Sequence, residues 1–99
     1  MHIILLKFGS NKSAAPDHMA AHKDWIAKGL ADGVFQCVGS LDVGGGALIA
    51  HGERTEALMR RVQADPFVEH AVVTAEVLAV DVNRTIPALE YLMAPAPVS

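Results

Sequence analysis

The order of apolar and polar positions predicts a strand followed by a helix at the start of the chain. Residues 2–8 form a continuous apolar run with one lysine, which is typical of a strand buried on both faces. Pro16 suits the first turn of a helix, because its missing N–H costs nothing there. Helix-forming residues dominate from Pro16 to about Ala31, and Gly33 offers a left-handed residue just beyond them.

The rest of the chain predicts a hairpin, a second helix and a final strand. The β-rich segments 34–40 and 45–50 are separated by a short turn, which indicates an antiparallel hairpin. Residues 53–64 carry apolar side chains at helical spacing, and the Asp-Pro pair at 65–66 interrupts them. Residues 72–82 form the last strand. The order βαββαβ predicts a ferredoxin-like α+β fold, with two helices covering one face of an antiparallel sheet.

The length of the chain allows one domain. At 99 residues the chain is too short for two cores, so we assign residues 1–82 to a single ferredoxin-like domain. Residues 83–99 form a C-terminal tail with helical apolar spacing at Ile86, Leu89 and Leu92. We expect this tail to pack on a dimer and its last residues to be frayed.

The composition favours a folded protein that associates with a second copy. Hydrophobic residues make up 52% of the chain and charged residues 19%, the opposite of a disordered composition. Because so small a domain has little interior volume, this apolar content predicts surface that a homodimer would cover. A net charge of −3 without a Lys/Arg run argues against nucleic acid or an anionic membrane as a partner.

Two further features concern location and redox chemistry. The first ten residues lack a basic segment, and no apolar run approaches membrane-spanning length, so we expect a cytoplasmic protein. Cys37 is the one cysteine and lies in an apolar stretch without a basic neighbour. It is therefore predicted to be a core residue without thiol chemistry.

His22 is the polar residue that the first predicted helix points inward. On a helix that turns about 100° per residue, His22 is centred on the apolar face, opposite the charged residues. The neighbours on that face are Met19, Ile26 and Leu30 to one side and Trp25 and Gly29 to the other. An inward imidazole requires a hydrogen-bonding partner.

Asp65 is the candidate partner. If helical geometry persists to the end of the second helix, Asp65 points inward beside Leu58 and Val62. Both helices cover the same sheet face, so the carboxylate and the His22 imidazole can meet there. Such a carboxylate fixes the imidazole tautomer and raises its basicity, which suits proton transfer near neutral pH. Two structural alternatives stay open: a satisfied core histidine, and an Asp that caps a turn over residues 66–70.

The spacing of two histidines raises the question of a metal. His18 and His22 lie one helical turn apart and could bind a metal with a third ligand from Asp65 or His70. Neither an HExxH pattern nor paired cysteines support such a site, so no metal is predicted.

The glycines at 44–46 are predicted to form a hairpin turn and bulge. No GxxxxGK[ST] or GxGxxG pattern follows them, and they lead into a strand rather than a helix. The functional alternative is that bare backbone at Gly45 lets a ligand approach closely, helped by the small residues Gly39 and Ser40.

The order of these features resembles the YciI-like family of the dimeric α+β barrel superfamily. The resemblance spans roughly residues 1–82. It rests on an HxxW motif at residues 22–25, a glycine turn at residue 33 and a strand that ends in Gly-Ser at 39–40. A Gly-rich hairpin at 44–46 and an Asp-Pro-Phe motif at 65–67 complete it. Many family members carry Gly-Pro where this chain has Gly39-Ser40.

The resemblance implies a His–Asp active site formed by His22 and Asp65, in a pocket between sheet and helices near the dimer interface. Similar small barrels include muconolactone-isomerase-like enzymes and dehydrochlorinases acting on hydroxylated chloroaromatics, which implies proton chemistry without a cofactor. A ring hydroxyl or acidic C–H would lose its proton to His22, and Ser40 would hydrogen-bond the developing negative charge. Trp25 and Phe67 would form an apolar wall for the substrate, and a core role is the alternative for each of them.

The leading hypothesis is therefore a small lyase or isomerase of aromatic compound degradation, most concretely a dehydrochlorinase-type enzyme. One alternative is a non-catalytic subunit that binds a small aromatic or stabilises an enzyme complex. A further alternative is a cofactor-free oxygenase, because related barrels oxidise electron-rich aromatics with oxygen alone.

Overall fold

The computed structural model describes residues 1–94, which form four strands and three α-helices. The elements are β1 (His2–Phe8), α1 (Ala15–Ala31), β2 (Phe35–Ser40), β3 (Gly46–Ala50), α2 (Thr55–Gln63), α3 (Pro66–Glu69) and β4 (Val73–Ala79), with 3-10 helices at Lys12–Ala14 and Pro87–Met93.

The four strands form one antiparallel sheet in the order β2-β3-β1-β4. The first strand lies in the interior of the sheet, where Ile4 pairs with Leu48 of β3 on one side and with Val77 of β4 on the other. Strands β2 and β3 form the expected hairpin, with Ser40 opposite Gly46. This antiparallel sheet with its helices confirms the predicted ferredoxin-like α+β fold.

The helices cover one face of the sheet, and the core lies between the two layers. Side chains of β1 alternate: Ile4 and Leu6 are buried under the helices, whereas Ile3 and Leu5 point to the other face and are only partly buried. The prediction of a first strand buried on both faces is therefore wrong for the single chain. The fully buried aliphatic side chains are Ile4, Leu48, Leu58, Val62 and Val72.

Several boundaries differ from the sequence-based ones. Helix α2 ends at Gln63, and Pro66 begins the separate short helix α3, so Asp65 is not part of α2. Strand β4 covers Val73–Ala79, which is shorter than the expected 72–82. On α1, Leu30 is 45% exposed rather than inward, because Gly29 is the residue that packs on the sheet.

Cys37 is exposed, so its assignment to the core is wrong. It lies on β2, an edge strand of the sheet, opposite Ile49 of β3. Ile49 pairs in turn with Ile3, which points away from the helices. Because paired residues of antiparallel strands share a face, Cys37 lies on the sheet face that α1, α2 and α3 leave uncovered.

The tail contacts its own chain. Its 3-10 helix buries Leu92, and the Tyr91 hydroxyl donates a hydrogen bond to Gln36 Oε1 at 2.7 Å. Ile86 and Leu89 are exposed, so the expected apolar stripe is only partly used in the single chain. Its packing on a dimer and the division of the chain at residue 82 stay predictions, and the expected frayed end lies outside the described residues. No helix within residues 1–94 is both long and apolar enough to span a bilayer.

Candidate active site

Asp65 is positioned by the start of α3. Because Pro66 follows it, its backbone is extended, at φ −62° and ψ 123°, which is the conformation of an N-cap residue. Its Oδ1 accepts a hydrogen bond from the Phe67 backbone N–H at 3.0 Å. The side chain is completely buried, with 0% exposure. The capping alternative is therefore realised, and it holds the carboxylate beneath α1.

His22 meets the same carboxylate oxygen. The distance between His22 Nδ1 and Asp65 Oδ1 is 2.7 Å, and the His22 side chain is 12% exposed. Since an ionised carboxylate only accepts hydrogen bonds, Nδ1 carries the proton and donates it to Oδ1. A neutral His22 then has its lone pair on Nε2, which makes no hydrogen bond within residues 1–94. This arrangement can serve as a base, with the tautomer fixed by Asp65.

Phe67 holds the imidazole ring from its flat side. The two rings are stacked, with centroids 3.9 Å apart and planes inclined by 5°. Phe67 is itself buried on α3. The hydrogen bond at one ring edge and the stack on one ring face together restrict the rotation of His22, which is how a general base is kept in one orientation.

Trp25 lies behind this pair rather than beside the cavity. Its Nε1–H donates to the backbone carbonyl of Arg61 at 2.9 Å, and its ring meets Phe35 edge-on with centroids 4.9 Å apart. These contacts tie α1 to α2 and to the core. They favour a structural role for Trp25 over the substrate contact that the HxxW motif suggested.

A cavity of about 360 Å³ lies between α1 and the helix-covered face of the sheet. His22, Ser40, Gly45 and Phe67 all line it, whereas Asp65 lies behind the imidazole. Most of the wall is apolar. The remaining lining residues are Leu6, Phe8, Ala15, Met19, Ile26, Val38, Gly39, Gly46, Ala47, Leu48 and Val73.

Gly45 contributes backbone to this wall for a structural reason. Its φ is +91°, and an added Cβ would lie only 2.1 Å from the Leu6 carbonyl oxygen. Only glycine fits both the left-handed backbone and this approach to β1. The hairpin interpretation of the glycine segment therefore holds, and the absence of a side chain at Gly45 also leaves room in the cavity.

Val38 is a wall residue that sequence reasoning missed. It pairs with Leu48, and Ser40 pairs with Gly46, so both β2 residues face the cavity side of the sheet. The sequence feature that could have identified Val38 is its two-residue spacing from Ser40, since alternate strand residues share a face. That spacing identifies Val38 as a neighbour of Ser40 once the hairpin is accepted.

His18 and His70 are stacked on each other, with centroids 4.0 Å apart and planes inclined by 8°. Neither residue lines the cavity, and His22 uses its Nδ1 on Asp65. Within residues 1–94 no group of three or more His, Cys, Asp or Glu side chains is arranged to hold a metal ion.

Comparison with known proteins finds the same architecture among solved structures. No family model matches the chain, and neither does any curated protein sequence. A matching structure is 5-chloro-2-hydroxyhydroquinone dehydrochlorinase from Burkholderia phenoliruptrix AC1100, in complex with 2,5-dihydroxybenzoquinone. The TM-score is 0.65 at 19% identity, over 81% of this chain and 93% of that one. The two chains share a fold.

Proposed function

We propose that this chain is a cofactor-free proton-transfer enzyme of the lyase or isomerase class that acts on a small hydroxylated aromatic. One observation carries the proposal: His22 donates Nδ1–H to the buried Asp65, and its Nε2 has no hydrogen-bonding partner among residues 1–94 at a largely apolar cavity. A base with a fixed tautomer beside an apolar cavity suits removal of a proton from a ring hydroxyl. The shared fold with a dehydrochlorinase makes elimination of a halide the most concrete form of this chemistry.

In such an elimination Nε2 of His22 takes the proton of a ring hydroxyl, and the Ser40 hydroxyl donates a hydrogen bond to the resulting oxyanion. The ring carbon that bears the halogen then takes up a proton from the protonated His22. The halide leaves with the electron pair of its bond, and a second hydroxyl gives up its proton as a quinone forms. The sum is loss of one hydrogen halide, so no external oxidant or reductant is needed.

We further propose that the chain belongs to the YciI-like family and works as the homodimer of an α+β barrel in the cytoplasm. The uncovered sheet face supports the dimer, because no helix within residues 1–94 covers its apolar side chains, Ile3, Leu5, Ile49 and Leu78. An apolar sheet face of this kind is stabilised when a second copy covers it.

The test of the reaction is anaerobic chloride release from 5-chloro-2-hydroxyhydroquinone, the compound in the name of the dehydrochlorinase. The wild type is expected to release chloride, and His22→Gln to lower the rate by about 10²–10⁴-fold, the usual contribution of a general base. Ser40→Ala should lower it less, because Ser40 is exposed and water can replace its hydroxyl. His51→Gln, the same change away from the cavity, serves as the control and should retain the rate.

The outcomes separate the alternatives. Equal rates for the wild type and His22→Gln would remove His22 from the mechanism. Saturable binding with the compound recovered unchanged would support a binding or accessory subunit. A reaction that requires oxygen, measured with an oxygen electrode, would support the oxygenase.

A further inference from the structure

The cavity has one titratable side chain in its wall. Among residues 1–94 the lining includes no lysine or arginine, and His22 is the one basic group. Lys12 is nearby, with its Nζ 4.5 Å from the centroid of the Phe8 ring, but it is exposed and does not line the cavity. Any positive charge that a ligand meets inside the cavity must therefore come from a protonated His22.

Asp65 supplies a negative charge directly behind that imidazole. Its Oδ1 accepts two hydrogen bonds, from His22 and Phe67, while Oδ2 is buried and has no partner within residues 1–94. His22 is also the one residue of this range that forms an ion pair with it. With a neutral His22 the pair thus carries one uncompensated buried negative charge, which is costly in a low-dielectric interior.

This charge state discriminates between two kinds of acidic ligand. A carboxylate that enters the cavity adds a second negative charge, unless a proton is taken up from solvent to convert His22 to imidazolium. A neutral phenol brings its own proton, so its transfer to His22 leaves the total charge of the site unchanged. The resulting imidazolium lies between two anions, Asp65 and the phenolate, and compensates both.

From this geometry we propose that the cavity selects single-ring ligands with an acidic hydroxyl and no permanent anionic group, and that it binds them as their anions. The inference rests on the proposed function and deepens it by naming the substrate class. On binding, the O–H bond of the ligand breaks, an Nε2–H bond forms on His22, and the oxygen keeps the electron pair. The cavity volume of about 360 Å³ suits one substituted ring.

4-Nitrophenol tests the proton transfer directly, because its phenolate absorbs at longer wavelength than the neutral phenol. At a pH below the pKa of free 4-nitrophenol, titration with the wild-type protein is expected to produce the phenolate band. His22→Gln should bind without that band, and the control His51→Gln should retain it. Bound 4-nitrophenol that keeps the neutral spectrum, or a phenolate band that persists in His22→Gln, would overturn the proposal.

The matched carboxylate 4-nitrobenzoate tests the selection. At a pH below the pKa of free 4-nitrophenol, calorimetry in two buffers with different ionisation enthalpies is expected to show about one proton taken up per 4-nitrobenzoate bound and none for 4-nitrophenol. Wherever this proton is taken up, the affinity for 4-nitrobenzoate should fall about tenfold per pH unit, as one-proton linkage requires. Equal binding of both compounds without proton uptake, at a pH below the pKa of free 4-nitrophenol, would contradict the selection.

These readouts are independent of turnover, because 4-nitrophenol carries no halide to release. A phenolate band without chloride release from the chlorinated substrate means that the proposed elimination fails while the binding inference stands. Chloride release without a phenolate band means that the proposed elimination stands while the binding inference fails.

Discussion

A single carboxylate oxygen joins the fold and the candidate site. Oδ1 of Asp65 accepts the backbone N–H of Phe67, which starts α3, and also the Nδ1–H of His22 from α1. Each of these bonds to a charged acceptor is worth roughly 1.5–3 kcal/mol. The residue that begins the helix therefore also sets the tautomer of the candidate base, and a substitution at Asp65 changes both.

Gly45 allows a prediction at the same scale. Gly45→Ala should destabilise the fold by about 2–4 kcal/mol, because it combines a positive φ with a Cβ too close to the Leu6 carbonyl. Gly33→Ala is the matched control: its φ is +75°, but nothing lies within 4 Å of the added Cβ, so about 1–2 kcal/mol is expected. Chemical denaturation measures both free energies of unfolding. Equal values for the two variants would contradict the predicted clash with β1.

The two site residues could be found from the sequence because each depends on local physics. The helical angle of α1 alone directs His22 toward the sheet, and Asp-Pro marks a break that a side chain can cap. The reason for predicting an inward Asp65 was nevertheless wrong, because it assumed that α2 continues two residues beyond Gln63. The Asp65 side chain would point in a similar direction whether α2 continued to residue 65 or Asp65 capped α3. The observed hydrogen bond from the Phe67 backbone N–H distinguishes these two cases.

At the scale of elements, α3 is held to α1 by pairs of rings. Phe67 stacks on His22, and His70, which follows α3, stacks on His18 one turn earlier in α1. A helix of four residues has little stability of its own. Its position, and so that of Asp65, therefore depends on these contacts with α1.

A second contact between elements joins β1 to α2. His2 is buried, and its Nε2 lies 2.8 Å from the Thr55 hydroxyl at the start of α2. Burial, together with the nearby charged amino terminus, lowers the pKa of His2 below its ordinary value of 6.5. The unfolded chain therefore binds more protons than the folded one just below pH 6.5.

The stability of the fold should consequently depend on pH through His2. The contribution of His2 to the free energy of unfolding is expected to be complete above pH 6.5. It should decrease as the pH drops from there toward the lowered pKa of His2. His2→Gln keeps a polar side chain near Thr55 and should flatten this slope. Thermal unfolding followed by circular dichroism between pH 8 and about 5 measures the effect. If the slope is unchanged in His2→Gln, His2 is not its source.

The position of each strand within the sheet is the feature that the sequence predicts least well. Cys37 lies in an apolar stretch that reads as core, but β2 is an edge strand, and this residue is on the uncovered face. Which strand occupies an edge is decided by long-range pairing, which no local pattern contains. The same holds for Trp25, whose indole N–H is bonded to the Arg61 carbonyl of another helix.

At the scale of the whole molecule, the uncovered sheet face predicts association. The wild type should sediment as a dimer, and Ile3→Lys should convert it to a monomer, because a buried lysine on that face would lack a partner. Met59→Lys is the matched control, since Met59 is exposed on α2, on the other side of the sheet. Sedimentation velocity measures all three. A monomeric wild type, or a dimeric Ile3→Lys, would contradict a dimer through this face.

Asp65 is proposed to fix His22 as a base that faces the cavity, and the ¹⁵N–¹H correlation spectrum of the imidazoles tests this role directly. We predict that Nδ1 of His22 carries a proton, which it donates to Asp65, and that the Nε2 resonance shifts strongly when 4-nitrophenol binds. A spectrum with the proton on Nε2, or an Nε2 resonance that does not respond to bound 4-nitrophenol, would contradict it.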